Sequence, residues 1–233
     1  MHTRLQENLT HVRETIAEAA KASGRVADSV RLIAVTKYVD DEVTRALAEL
    51  GCLDLGESRS QQLWHKAGSL ADLPIRWHMI GHLQRNKARR TVSLLSVLHS
   101  GDSQRLLETT AAEWQGQKPL PVLLEVNISE DAAKHGFAPA EMEPALEAAA
   151  RLGQLRVIGL MGMASLEGGR DQAQRDFAAL RELRDKLRSS CPPEASLDEL
   201  SMGMSDDFDV AIREGATMVR VGSTLFEGLD DGS

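Results

Sequence analysis

Short apolar runs alternate with stretches of helical periodicity along this chain of 233 residues. Most of the runs lack the in-and-out alternation of a half-buried strand, which is typical of parallel strands that are covered on both faces. The pattern therefore predicts eight buried strands, at Arg31–Thr36, Leu53–Leu55, Arg76–Ile80, Leu94–His99, Leu120–Asn127, Arg156–Met161, Leu197–Met202 and Thr217–Val221.

The segments between these runs place apolar residues three or four positions apart, as on the buried face of a helix. Helix start signals lie at Asp40 or Asp41, at Asp102 and at Ser205. An extra helix precedes the first strand, and its buried side consists of Leu5, Leu9, Val12, Ile16 and Ala19.

Eight strands that alternate with helices predict an α/β fold, a single (β/α)8 TIM barrel with an extra N-terminal helix. A doubly wound open sheet is the alternative, because periodicity does not reveal strand order. The length is ordinary for one such barrel, no linker interrupts the chain, and Ser233 follows the last strand closely. We therefore expect one domain over residues 1–233.

Composition and charge narrow the functional classes. A formal net charge of −8 argues against a general nucleic-acid role, and the basic cluster at Arg85–Arg90 is interpreted as a solvated helix face. The two cysteines lack the spacing of a disulfide framework, which suits a reducing compartment. Because the chain carries neither a long apolar stretch nor the apolar core of a signal peptide, we expect a cytoplasmic protein without membrane contact.

Candidate chemistry lies at the carboxyl ends of the strands, where barrels of this class build their sites. Lys37 directly follows the first run. A lysine at the mouth of an apolar barrel loses solvation, which favours the neutral amine that condenses with aldehydes. A strand-end lysine that points to solvent is the alternative.

The last two strand ends predict a phosphate site. Ser201–Asp207 ends the seventh strand, and Arg220, Gly222 and Ser223 end the eighth. Small residues let backbone N–H groups approach a ligand, hydroxyls donate, and a helix amino end adds positive potential. Arg220 would supply charge or pair with an aromatic nitrogen of a cofactor. Ordinary turn chemistry is the alternative.

Other strand ends are less informative. A lone histidine such as His78 is more often a satisfied core residue than a catalyst, and Met161 and Met163 fit barrel core or pocket wall. The seven histidines have no metal-binding spacing, so no metal site is predicted. Neither GxGxxG nor GxSxG occurs, which disfavours a nicotinamide cofactor and a serine nucleophile.

The same strand ends carry a resemblance that spans nearly the whole chain. On its motifs the sequence resembles the YggS/PROSC family of pyridoxal phosphate homeostasis proteins, which are related to the barrel domain of bacterial alanine racemase. The matching segments are LIAVTK at Leu32–Lys37, LGE at Leu55–Glu57, WHMIGHLQRNK at Trp77–Lys87, VNISEDAAKHG at Val126–Gly136, GLMGM at Gly159–Met163, LSMGMSDD at Leu200–Asp207 and RVGSTLFEG at Arg220–Gly228.

The resemblance implies a pyridoxal 5′-phosphate (PLP) site on a fold-type III barrel without the racemases' second domain. Lys37 matches the lysine that forms the internal aldimine, a Schiff base, and Arg220 matches the arginine that faces the pyridine nitrogen. Ser58 replaces the asparagine usual in the family, so no cofactor contact is assigned to it. The positions implied to bind the phosphate or line the pocket are His78, Met161, Ser201, Met202, Gly222 and Ser223.

Three functions are compared. The first is a carrier or regulator of PLP, with PLP-requiring apo-enzymes as partners, and the second is a PLP-dependent racemase or related enzyme. A racemase of the related type needs acid/base groups on both faces of the substrate, and the one tyrosine here, Tyr38, adjoins Lys37. We therefore expect binding without efficient turnover, in a monomer. A cofactor-free aldolase is disfavoured because its lysine usually lies on a middle strand.

One hypothesis concerns release of the cofactor. Transimination by a second amine is faster than hydrolysis when an amine is close. Lys134, in the loop after the fifth strand, would accept PLP transiently, with a solvated loop lysine as the alternative.

Overall fold

The computed structural model describes residues 1–129 and 135–229 of the chain. Its eight parallel strands form a closed barrel in the order β1 to β8, which confirms the predicted TIM barrel and rules out the open sheet. The predicted runs each overlap the strand of the same number, and no end differs by more than two residues. The strands are β1 Arg31–Val35, β2 Asp54–Glu57, β3 Arg76–Met79, β4 Leu95–Gly101, β5 Leu120–Val126, β6 Leu155–Gly162, β7 Glu199–Ser201 and β8 Met218–Val221.

Helices follow the first seven strands, and an extra helix precedes β1. Between β8 and residue 229, the last one described, the chain makes a short 3-10 turn at Ser223–Leu225 and no α-helix. Among the described residues, no helix combines the length and apolarity needed to cross a lipid bilayer. The helices are α1 His2–Ala22, α2 Asp41–Glu49, α3 Ser60–Ser69, α4 Ala88–Val92, α5 Gln104–Glu113, α6 Met142–Ala150, α7 Gly169–Arg188 and α8 Phe208–Arg213.

The extra helix α1 takes the place of the helix that would otherwise follow β8. It contacts both α8 and α2, and its buried face carries the apolar residues that the sequence predicted. The side-chain amide of Asn8 on α1 donates to the carbonyl oxygens of Leu225 (3.1 Å) and Glu227 (2.9 Å) beyond the turn. The ring of helices is therefore completed from the N-terminus.

The predicted start signals have different outcomes. Asp40 caps α2, because its Oδ1 accepts a hydrogen bond from the Val43 N–H at 2.9 Å. The prediction of Asp102 is wrong by one residue, since the neighbouring hydroxyl of Ser103 accepts the capping hydrogen bond of α5.

The prediction that Ser205 starts the last helix is wrong, because α8 begins three residues later, after Asp207. The Ser205 hydroxyl instead accepts a hydrogen bond from the Gly222 N–H at 3.1 Å. The Arg220 N–H donates to the Gly203 carbonyl at 3.0 Å. These bonds tie the loop after β7 to the end of β8.

The barrel interior is only partly apolar. A large apolar cluster fills the space between the helices and the outside of the barrel. A second, smaller cluster of buried residues consists of Ile33, Val97, Leu123, Met161 and Met218. The His99 side chain on β4 contacts that of Ser201 on β7, and because these two strands are not neighbours, their contact crosses the barrel.

Candidate cofactor site

Lys37 lies at the rim of the barrel, just beyond the end of β1. The preceding residue, Thr36, still donates its N–H to the Gly56 carbonyl of β2 at 3.1 Å. The Lys37 side chain is half-buried, and its Nζ lies 4.8 Å from the ring centroid of Tyr38, which is itself 85% exposed. Among the described residues this ammonium forms no ion pair, so no carboxylate holds it in place.

A buried ion pair anchors the chain next to Lys37. Lys66 Nζ lies 2.7 Å from Glu57 Oε1, and the exposed fractions of the two side chains are 5% and 0%. Lys66 also donates to the Thr36 carbonyl at 2.5 Å, and the Thr36 hydroxyl donates to the same Glu57 oxygen at 2.7 Å. Sequence reasoning missed Lys66, since a lysine in an amphipathic helix ordinarily faces solvent.

Gly222 lies where the ends of β8 and β1 approach each other. A Cβ added to this glycine would lie 3.3 Å from both the Cβ and the carbonyl oxygen of Val35. A side chain here would therefore press on the last residue of β1, two positions before Lys37. Because Ser223 follows Gly222 and Lys37 lies two residues beyond Val35, all three residues occupy one rim of the barrel.

Arg220 is a buried cation close to this rim. Its Nη1 donates to the Ser201 carbonyl oxygen (2.8 Å) and hydroxyl oxygen (2.6 Å), and its Nη2 donates to the Gly162 carbonyl (3.0 Å). Burial lowers the pKa of Arg220 to about 10, with Glu125 and Asp207 opposing the shift, so the group stays charged at neutral pH. The guanidinium thus joins β8 to β6 and β7.

A line of hydrogen bonds continues from Ser201 through the barrel. Ser201 Oγ lies 2.9 Å from His99 Nδ1, and His99 Nε2 lies 2.8 Å from His78 Nδ1. His78 Nε2 lies 3.1 Å from Asp54 Oδ1, and Arg76 holds the same carboxylate through Nε (2.8 Å) and Nη2 (2.5 Å). The line therefore runs from the carboxyl-terminal ends of β7 and β8 to the first residues of β2 and β3.

Burial explains the charge states along this line. It lowers the pKa of His78 and lowers that of His99 well below its usual value, so both rings are neutral near pH 7. Burial alone would raise the pKa of Asp54, but the hydrogen bonds from Arg76 and His78 outweigh it and hold that pKa well below its usual range. Asp54 is therefore the anion at one end, and Arg220 is the cation at the other.

Glu125 on β5 is a buried carboxyl group near Arg220. Burial raises its pKa to about 7, and the nearby charge of Asp102 acts in the same direction. His82, Asp102 and His135 lie together at the same end of the barrel, each offering one potential metal ligand within 4.8 Å of the others. Spacing in the sequence could not reveal this cluster, because its members come from the segments that follow three different strands, β3, β4 and β5.

The remaining predicted site residues are mostly buried. Met161 and Met202 are 1% and 0% exposed, and Met161 belongs to the small apolar cluster of the barrel. His78 is fully enclosed, with both ring nitrogens hydrogen-bonded. Ser58 is half-buried against Gly81, where an added Cβ would meet the Ser58 carbonyl oxygen at 2.5 Å. Lys134 lies outside the described residues.

Comparisons with known proteins identify the family of this chain. Residues 4–230 match the family described as alanine racemase, N-terminal domain. The pyridoxal phosphate homeostasis protein of Pseudomonas aeruginosa is 41% identical over 233 residues, which cover 98% of this chain and 97% of that protein.

Solved structures give the same relationship. PipY of Synechococcus elongatus PCC7942, solved with PLP bound, is 37% identical with a TM-score of 0.79, over 91% of this chain and 99% of PipY. Alanine racemase from Corynebacterium glutamicum, at 14% identity and a TM-score of 0.72 over 99% of this chain and 64% of the racemase, shares the fold. The chain therefore belongs to the family of pyridoxal phosphate homeostasis proteins, as its motifs predicted, and is built on the alanine racemase N-terminal barrel.

Proposed function

We propose that this protein binds PLP and acts in the homeostasis of that cofactor inside the cell, as a carrier or regulator. The observation that carries the proposal is the shared rim: an amine without an ion-pair partner among the described residues, Lys37, lies at the same barrel end as Gly222 and Ser223. The names of its relatives and the PLP bound to PipY support the same function.

The residues of the rim fit such a cofactor. Gly222 has no Cβ to press on Val35, so the end of β8 stays close to the end of β1. The backbone N–H of Ser223, together with the Gly222 N–H that donates to Ser205 Oγ in this structure, would donate to the phosphate. Arg220 makes three hydrogen bonds to β6 and β7 and would aim its remaining N–H groups at the ring nitrogen. Met161, Ser201 and Met202 would form the buried floor between these groups.

PLP supplies an aldehyde that condenses reversibly with a primary amine and releases water. Lys37 is the amine in this proposal, and the anchored Thr36 holds its backbone in place. An arginine beside the ring nitrogen leaves that nitrogen unprotonated, which weakens the ring as an electron sink. This choice of partner suits storage of the cofactor better than carbanion chemistry.

A weak PLP-dependent racemase is the alternative function. Such an enzyme needs a second acid/base group on the face opposite Lys37, and Tyr38 shares the rim with Lys37 and is largely exposed. The proposal therefore favours binding without efficient turnover. We also propose that the protein is a cytoplasmic monomer, that residues 1–233 form one domain, and that it passes PLP to apo-enzymes.

The absorption spectrum of the purified protein incubated with PLP tests the binding proposal. We expect a visible absorption band that shifts on borohydride reduction. Lys37→Ala should abolish this band, whereas Lys118→Ala, on the exposed surface, should retain it. A Lys37→Ala protein that still carries borohydride-reducible PLP would overturn the assignment of Lys37. Sustained interconversion of D- and L-amino acids, well above that caused by free PLP, would favour the racemase.

A further inference from the structure

Every hydrogen bond in the line from Arg220 to Asp54 is donated in the same direction, toward Asp54. Asp54 is an anion held by two bonds from Arg76, so it can only accept, and His78 must carry its proton on Nε2. The Nδ1 of a neutral His78 is then an acceptor. Since this atom lies 2.8 Å from His99 Nε2, His99 must be the donor there.

The same reasoning fixes the Ser201 hydroxyl. A neutral His99 that is protonated on Nε2 has an unprotonated Nδ1, and this atom lies 2.9 Å from Ser201 Oγ. The hydroxyl proton of Ser201 therefore points at His99. The oxygen of this hydroxyl, in turn, accepts a hydrogen bond from Arg220 Nη1 at 2.6 Å, because the charged guanidinium can only donate.

This direction has a consequence for cofactor binding. A hydroxyl has one proton, and that of Ser201 is used inside the barrel, so the side chain is not available as a donor to a phosphate oxygen. Ser201 therefore acts on the cofactor through Arg220, to which it offers both its carbonyl oxygen and its hydroxyl oxygen.

We propose that Asp54, His78 and His99 are positioning residues for the PLP site: they orient the Ser201 hydroxyl so that it accepts from Arg220 and holds the guanidinium toward the ring nitrogen. This inference rests on the proposed function for its effect on PLP, whereas the proton positions belong to the protein alone. None of the three residues has to touch the cofactor.

The first test needs neither PLP nor a variant. Two-bond ¹⁵N–¹H correlation spectra of the cofactor-free protein at neutral pH should show His78 and His99 both neutral and both protonated on Nε2. A doubly protonated His78, or either ring protonated on Nδ1 alone, would overturn the direction whether or not the protein binds PLP.

The second test uses Asp54→Asn, with Asp41→Asn as the matched control. Asp41 Oδ2 also lies 3.1 Å from a histidine nitrogen, but that histidine, His65, lies on the surface. In Asp54→Asn the histidine spectra should show mixed tautomers, the visible band of the PLP-loaded protein should shift, and PLP should bind about two- to tenfold more weakly, as expected for one lost hydrogen bond.

The control should match the unmodified protein in all three measurements. An Asp54→Asn protein that folds but keeps both the band position and the PLP affinity would overturn the positioning role. If Asp54→Asn fails to fold, the wild-type histidine spectra still decide the direction, and Ser201→Ala decides the coupling. That variant should shift the visible band while retaining binding of inorganic phosphate. Loss of phosphate binding in Ser201→Ala would instead show that the hydroxyl is a phosphate donor.

Discussion

The ion pair between Lys66 and Glu57 allows a sharp prediction of stability. Replacing Lys66 by Met removes the ammonium but leaves the Glu57 carboxylate fully buried, and within the described part of the chain the Thr36 hydroxyl is then the only donor to Oε1. Among the described residues Glu57 Oε2 has no hydrogen-bond partner that could compensate, and the Thr36 carbonyl loses its donor as well. Breaking a buried pair in this way costs about 3–5 kcal/mol.

The expected loss is measurable by thermal or urea denaturation followed by circular dichroism. In a chain of this size, about 2–4 °C of Tm correspond to 1 kcal/mol, so Lys66→Met should lower the Tm by about 6–20 °C. The surface pair of Arg45 with Asp72 is the matched control, because its shortest N–O distance is also 2.7 Å but its side chains are 36% and 61% exposed. Arg45→Met should therefore cost less than about 1 kcal/mol.

A double variant separates the charge effect from the loss of packing. Glu57→Gln combined with Lys66→Met removes both charges, so it should be clearly more stable than Lys66→Met alone. The argument from uncompensated charge would be refuted if the double variant were as unstable as the single one. It would also be refuted if Lys66→Met unfolded at the same urea concentration as Arg45→Met.

Three further predictions follow from buried groups. The raised pKa of Glu125 means that, between about pH 4.5 and 7, the folded cofactor-free protein binds a proton more tightly than the unfolded chain does. At pH 8 the buried carboxylate is charged, so Glu125→Gln should stabilise the protein by about 1–3 kcal/mol. Urea titrations should show that this gain is lost near pH 5. The lowered pKa values of His78 and His99 have the opposite effect, so the free energy of unfolding should fall as the pH drops below about 6.5. The fall should be steeper in Glu125→Gln, which lacks the opposing contribution of Glu125. A flat pH profile in that variant would contradict the assignment of both histidines as neutral buried rings. Gly203 has a φ of 90° and no room for a Cβ, which would lie 2.5 Å from the Cβ of Ala211. Gly203→Ala should therefore lower both the Tm and the affinity for PLP. If the substitution changed neither, the loop after β7 would not be held in this conformation.

The fold was predictable because its main signal is local. Each strand of a barrel with helices outside is a short apolar run, and each run was visible in the sequence, as at Leu120–Val126. The position of α1 was not predictable in the same way. Its apolar face indicated a helix that packs on something, but only the structure shows it in the slot that the short turn after β8 leaves open.

The rim residues were predictable for a different reason. The rule that barrel sites lie at the carboxyl ends of strands pointed to Lys37, Arg220 and Gly222 before any comparison. The support behind them was not predictable, because it depends on pairing between distant strands. His99 carried a weak signal as a polar residue at the end of an apolar run, but nothing in the sequence relates it to Ser201, 102 positions away.

The polar line changes how substitutions in the barrel should be interpreted. Barrels of this class usually fill their interior with branched apolar side chains, whereas here His78, His99, Ser201 and Arg220 are all buried. A buried polar group that loses its partner costs about 1–3 kcal/mol. Each member of the line is the partner of the next, so its replacement destabilises the barrel and also disturbs Arg220. We therefore expect that a substitution of any residue in this line lowers both the stability of the protein and its affinity for PLP. At Lys37, whose ammonium forms no ion pair with the described residues, PLP binding should disappear with little change in the free energy of unfolding.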